Sequence, residues 1–257
     1  MNPELINLKG VCQSYGKKVV IDDFNLFIGD KPNVGEFIVL LGPSGCGKST
    51  ILKYVAGLQK PTSGEVTVKG LPQTGFIPMV FQQYSNIPWL SVLENVMLPA
   101  KFKRQDSDEA EKLAMEMIQK VGLKGHEYKY AQDTLLSGGQ LQRVAIARSL
   151  MANAEVLLMD EPFGALDLNT RLQMQVLLAE IWRNLQSTVI FVTHDIQEAV
   201  FLGDDIYLMS ANPGRIVKHW TTGLPLTHDR SIRHEKKFTD LVGEIEDSMF
   251  TLIEGRK

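Results

Sequence analysis

The sequence predicts an α/β fold: a mostly parallel sheet joined by an antiparallel β subdomain and a helical insert subdomain. Three observations predict it. The apolar run Phe37-Ile38-Val39-Leu40-Leu41 leads straight into a glycine-rich segment and then into a helical pattern. A second apolar run, Val156 to Met159, ends in the paired carboxylates Asp160 and Glu161. Between Gln82 and Met151 the periodicity is helical, and from Val156 strands alternate with helices.

The elements follow in order. From about Leu5 to Thr74, apolar runs alternate with Gly and Pro turns, as in Glu65-Val66-Thr67-Val68-Lys69-Gly70. This pattern predicts short antiparallel strands packed beside the glycine-rich segment. That segment, Gly42-Pro43-Ser44-Gly45-Cys46-Gly47-Lys48-Ser49, fits the pattern Gly, four residues, Gly, Lys and Ser/Thr in its strand-to-helix context, a P-loop. Its glycines let backbone N–H groups cradle phosphate oxygens while the following helix presents its positive end. Lys48 is placed to reach terminal phosphates, and the Ser49 hydroxyl to hold Mg²⁺. A plain glycine-rich turn would explain the string alone but not its flanks. Ile51, Leu52, Val55 and Leu58 repeat at helical spacing, with Pro61 as the stop.

The insert runs from about 83 to 151. Ala110, Leu113, Ala114, Met117, Ile118 and Val121 form an apolar stripe read as core, with Ser107 as its cap and Asp108, Glu109 and Glu111 in the first turn. Leu136-Ser137-Gly138-Gly139-Gln140 precedes Leu141, Val144, Ala145 and Ile146, so its amides fall at a helix amino end, which suits an anion. Gln82 to Asn95, with Ile87, Pro88, Trp89, Leu90 and Val92, is apolar; Trp89 is either a surface anchor or part of the insert's core.

Val156 to Met159 reads as a buried parallel strand delivering acids at its carboxyl end: Asp160 for Mg²⁺, Glu161 to polarise an attacking water. Phe238, Leu241, Val242, Ile245 and Met249 predict a final helix packed on the core, in an extension over 225–257.

Composition narrows the classes. With 44% hydrophobic and 22% charged residues, the chain of 257 is ordinary for a globular protein with one core or a core plus subdomain. Net charge of −3 gives no general attraction to nucleic acid. Cys12 and Cys46 are too few for a disulfide framework, and no histidine spacing matches a metal-ligand set; His228 and His234 read as solvated. The start at Met1-Asn2-Pro3-Glu4 has no signal-peptide pattern, and no apolar run approaches the roughly 18 residues needed to span a bilayer. These features point to the cytosol.

With their surrounding motifs, Lys48, Ser137 and Glu161 resemble the nucleotide-binding domain of ATP-binding cassette (ABC) proteins, over residues 1–224. The resemblance implies ATP and Mg²⁺ as cofactors. It implies ATP contacts from Gly42, Ser44, Gly45, Cys46, Gly47, Lys48, Ser49, Thr50, Ser137, Gly138, Gly139, Gln140 and Asp167, and stacking of adenine on Tyr15. Catalysis would fall to Glu161, His194, Gln82 and Lys48, and Mg²⁺ to Ser49, Gln82 and Asp160. Without the family, Tyr15 reads as a turn residue, His194 as a capping or surface histidine, and Gln82 is singled out from Gln83 only by following Phe81. Gly164-Ala165-Leu166-Asp167 resembles the loop that crosses a dimer interface, with Gly164 where Ser is more usual.

The resemblance also implies partners: a second ATPase subunit, permease subunits docked near Gln82 to Asn95, and a periplasmic or extracellular solute-binding protein. The chain would then work at the cytoplasmic face of the inner (plasma) membrane, with no nucleic acid. Gly45-Cys46-Gly47, Pro88-Trp89-Leu90, Pro213-Gly214-Arg215-Ile216 and Arg230-Ser231-Ile232-Arg233 leading to Phe238 are similar to ATPases of nitrate, sulfonate and taurine importers. Gln140, often Met there, and Asp30-Lys31-Pro32-Asn33 depart from that subfamily. A lipid exporter is the alternative within transporters. DNA-maintenance ATPases of the superfamily would place heptad coils or zinc modules between Lys48 and Ser137, and translation-associated ones carry two such domains.

Overall fold

A computed structural model describes residues 4–31, 34–69, 77–224 and 230–254. Pro32 and Asn33, the stretch 70–74 and His228 lie outside the described residues. In chain order the elements are β1 (Glu4–Tyr15), β2 (Lys18–Gly29), β3 (Phe37–Leu41), α1 (Lys48–Val55), β4 (Ser63–Val68) and β5 (Met79–Val80). There follow α2 (Val92–Phe102), α3 (Ser107–Lys120), α4 (Gly138–Met151), β6 (Val156–Asp160), α5 (Leu168–Leu185) and β7 (Thr188–Thr193). The chain continues through α6 (Ile196–Leu202), β8 (Asp205–Met209), β9 (Ile216–Thr221), a short 3-10 turn (Arg230–His234) and α7 (Lys236–Glu254). Contacts divide it into two compact units, residues 1–77 with 188–257, and residues 78–187.

The first unit holds an antiparallel sheet in the order β2-β1-β4. β1 and β2 have 12 residues each, longer than the short strands predicted. Register shifts between Leu8 and Val11 and again near Gln13 interrupt the alternation, so one bulged strand reads in sequence as several short ones. In the same unit β3 lies between β7 and β8, parallel to both, and β9 pairs antiparallel with β8. All five β3 residues are buried, which explains their unbroken apolar run, and Phe37 meets Phe191 with ring centroids 5.5 Å apart.

α1 buries Ile51, Leu52 and Val55 and then stops. The predicted continuation through Leu58 is not found: Gly57 takes φ 70° and its N–H donates to Tyr54 O, closing the helix, and Leu58 is 63% exposed. The predicted final helix is present as α7, which buries Phe238 and Ile245 and packs against α6.

In the second unit β5 runs parallel to β6, and α2 packs on both α3 and α4. α3 is capped by Asp106, not by Ser107. The Asp106 carboxylate accepts from the N–H groups of Asp108 and Glu109, which makes Ser107 the first helical residue. Ala110, Ala114, Ile118 and Val121 form a narrow buried stripe, while Leu113 at its margin is 47% exposed, contrary to expectation. α4 is buried around most of its circumference, including the polar side chain of Gln142.

Candidate functional site

In the first unit, β3 delivers the phosphate loop and neighbouring β7 delivers His194. The parallel register pairs Leu41 with Thr193, so Gly42 and His194 leave the sheet side by side at the carboxyl ends of their strands, where ligands of parallel sheets bind. Gly47 has φ 101°, and a Cβ there would stand 2.7 Å from Ile21 Cγ1; Gly45 has φ 77° with open space where a Cβ would point. Both positions need glycine for backbone reasons, and Gly47 also for the close approach of β2. A Cβ at Gly42 would meet Met209 O at 2.7 Å.

α1 begins with no side-chain cap and no acidic residue in its first turn, leaving its positive end to an anion. The Lys48 ammonium is buried and donates to Gly42 O at 2.7 Å and Pro43 O at 3.0 Å, so loop carbonyls take its hydrogen bonds. Beside it, burial pushes the Cys46 thiol up from its ordinary value, with the nearby Lys48 opposing. Ser44 is exposed, and Ser49 and Thr50 are half-buried in the first turn of α1.

His194 is exposed, and it is not a cap: Asp195 caps α6 by accepting from Glu198 N–H, while Thr193 Oγ1 donates to the Glu198 carboxylate at 2.8 Å. Tyr15 ends β1 beside the turn Gly16-Lys17, 56% exposed, its hydroxyl accepting from Gln59 Nε2 at 3.0 Å.

In the second unit the register Met79 to Leu158 and Val80 to Met159 brings Phe81 and Gln82 alongside Asp160 and Glu161. The Gln82 amide donates to Glu161 Oε2 at 3.4 Å. Asp160, last residue of β6, is buried, and Glu161 next to it takes φ 45°, a conformation L-residues seldom adopt. Within this unit Gln82 and Asp160 offer amide and carboxylate oxygens, hard donors of the kind Mg²⁺ prefers.

Ser137 is the N-cap of α4, at the helix amino end where the sequence places this turn. Its hydroxyl accepts from Gln140 N–H at 3.3 Å, and Gln140 Oε1 accepts from Ser137 N–H at 2.9 Å, a reciprocal capping box. Buried Leu136 anchors the turn, Ser137 and Gly138 are exposed, and Gly139 lies close to Leu166. No acidic residue stands in the first turn of α4.

Asp167 caps α5 through Thr170 N–H at 3.0 Å, and its hydrogen bonds from Thr170 and neighbouring backbone hold its carboxyl below the usual range. Gly164 is not at positive φ, and a Cβ would meet only Glu161 O at an ordinary 3.4 Å, so nothing in its backbone demands glycine.

Trp89 is 74% exposed, so it does not fill the insert's core. The turn that carries it is laced by Asn95, a residue the sequence reading did not single out. Fully buried, Asn95 accepts from Ile87 N–H at 2.8 Å and donates to the carbonyls of Ile87, Leu90 and Ser91. Gln142 and Arg148 were missed in the same way; a lone amide or guanidinium amid the apolar stripe of a helix was the available signal.

An uncapped helix opening a phosphate loop, and a carboxylate strand met by a glutamine, place the chain among P-loop ATPases; the serine-capped glycine pair narrows that to the cassette class. Comparison with known proteins gives the family. Residues 31–164 match the family model described as ABC transporter. The taurine import ATP-binding protein TauB of Yersinia pestis is 40% identical over 217 residues, 83% of each chain. The nitrate import ATP-binding protein NrtD of Synechocystis sp. is 40% identical over 253 residues, 94% of this chain and 91% of that one. A dimeric ATP-binding cassette solved in a post-hydrolysis state with ADP and phosphate superposes with a TM-score of 0.72 at 35% identity, covering 84% of this chain and 98% of that one. The chain belongs to the ABC transporter family as an ATP-binding, ATP-hydrolysing subunit.

Proposed function

We propose that this subunit dimerises on MgATP and drives an importer of a small anion such as nitrate, a sulfonate or taurine. The observation that carries the importer reading is the near-full-length similarity to the taurine and nitrate import subunits. Residues 1–224 serve as the ATPase domain with an insert at about 83–151, and 225–257 as a helical extension.

Each side chain takes the role its surroundings support. Lys48 and the amides of Gly45 and Gly47 bind the phosphates, with Gly42, Ser44, Cys46 and Thr50 completing the loop. Ser49, Gln82 and Asp160 would hold Mg²⁺, which would supply positive charge against the phosphates. Glu161 accepts a proton from water that Gln82 orients, and exposed His194 donates to the terminal phosphate. Tyr15 offers its ring to adenine. Ser137, Gly138, Gly139 and Gln140, with Asp167, act on the nucleotide of a second ATPase subunit, for which the dimeric relatives give support.

Exposed Trp89, on a turn made rigid by Asn95, is the anchor for permease subunits along Gln82 to Asn95. Among the described residues no helix is long and apolar enough to cross a membrane, so attachment to the cytoplasmic face would run through that permease. The deciding experiment reconstitutes the chain with its permease and adds a solute-binding protein charged with nitrate, an alkylsulfonate or taurine. Stimulated ATP turnover with one of these is expected, whereas turnover indifferent to every charged receptor would turn the reading toward export.

A further inference from the structure

The loop between Gln82 and Trp89 is held by α4, the helix that begins at Ser137. Gln142, with no exposed surface, donates from Nε2 to Phe81 O at 3.3 Å. Further along the same helix Arg148 donates to Ser85, to its carbonyl at 3.0 Å and its hydroxyl at 2.9 Å. In return Asn86 Nδ2 donates to Leu141 O at 2.7 Å. Phe81 is the residue before Gln82, whose amide donates to Glu161. A short chain of bonds therefore runs from α4 through the Phe81 peptide to the carboxylate assigned to water activation.

This arrangement is a poor way to stabilise a core. The Phe81 carbonyl can only accept, so the Gln142 amide must present Nε2 to it. Its Oε1 is then buried without a hydrogen-bond partner. A buried acceptor left unpaired loses its hydration with nothing in exchange. Burial of Arg148 likewise works against its charge and lowers its pKa. Leucine at 142 would fill much the same volume without the orphaned acceptor.

We propose that Gln142, seconded by Arg148, is a positioning residue of the ATPase: it fixes Gln82 against Glu161 from the helix that carries Ser137 to Gln140. Movement of the Ser137 turn is thereby transmitted to the residues that handle water. The inference rests on the roles given above to Gln82 and Glu161, and Gln142 itself touches neither nucleotide nor water.

The test is a double-mutant cycle on the full chain, reading kcat and KM for MgATP together with thermal stability. Gln142→Leu is expected to lower kcat about 10- to 100-fold with KM changed less than about twofold. Its Tm should stay within about 3 °C of the parent, because the lost bond is offset by removal of the orphaned acceptor. In a Gln82→Ala background the same substitution should have no further effect on kcat. A fall in Tm with kcat intact, or a Gln142 effect that persists in full without Gln82, overturns the proposal. If Gln82→Ala alone leaves turnover unchanged, the assigned role of Gln82 fails, and the proposal with it. Should Gln142→Leu fold poorly, Arg148→Lys replaces it: a smaller fall in kcat, again absent without Gln82, is the expected result, and an unchanged kcat overturns the proposal.

Discussion

Glu161 shows how much one residue can carry. Its type and place, directly after a buried strand, were readable in the sequence; its backbone was not. With φ 45° it occupies the left-handed region, at a cost of about 1–3 kcal/mol. The turn that follows sustains this: Gly164 N–H donates to Glu161 O at 3.1 Å, and the Phe163 side chain is 1% exposed. In this conformation the carboxylate lies where Gln82 Nε2 reaches it at 3.4 Å. Glu161→Gln keeps the shape and the backbone but can no longer take a proton. Turnover should fall about 100-fold or more while ATP binding survives, and a dimer should accumulate on size exclusion in MgATP. Unchanged turnover would remove Glu161 from the role.

At the scale of elements, the sequence was most legible where one physical requirement dominates. β3 and β6 are buried along their whole length, so their apolar runs announce them, and the phosphate loop must combine glycines with a helix start. It was least legible where two forces compete. Bulges hid the length of β1 and β2, a left-handed Gly57 cut α1 before its apolar period ended, and an aspartate outcompeted the neighbouring serine for the α3 cap. The bonds that bind the Gln82 loop to α4 join residues far apart in sequence, and no periodicity reports them.

α2 offers a measurable case of local chemistry. Glu94 accepts from the Ser91 backbone N–H at 2.8 Å and pairs with its hydroxyl, closing the capping box beneath the Trp89 turn. The backbone bond first, then the hydroxyl, holds the Glu94 carboxyl below its usual range. A depressed folded-state pKa means that the folded chain releases the proton sooner, so the stabilisation is present above the unfolded value and lost as pH falls through the folded one. Glu94→Ala should therefore cost about 0.5–1.5 kcal/mol in urea denaturation near pH 7. The gap from the parent should close below about pH 4, and a gap constant with pH would show that the carboxylate is not its source.

For the molecule as a whole, the turn from Ser137 to Gln140, here called the signature, has the features that the proposed site shared with a second subunit requires. Ser137 and Gly138 are exposed at an amino end with no acidic neighbour in the helix, and the related cassettes are dimers. In the proposed twofold dimer each ATP would lie between the phosphate loop of one chain and the signature of the other, and nucleotide would be the link that hydrolysis dissolves. Mixing two defective chains tests this directly. Ser137→Arg blocks the signature and Lys48→Ala disables the loop, so each homodimer has two damaged sites. A mixed dimer unites the intact loop of the first chain with the intact signature of the second, and gathers both defects in its other site. Equal mixing with random pairing makes half the dimers mixed, and turnover should recover to about a quarter of the parent if the sites are independent. If loop and signature served the same nucleotide within one chain, every chain would carry a defect and mixing would restore nothing.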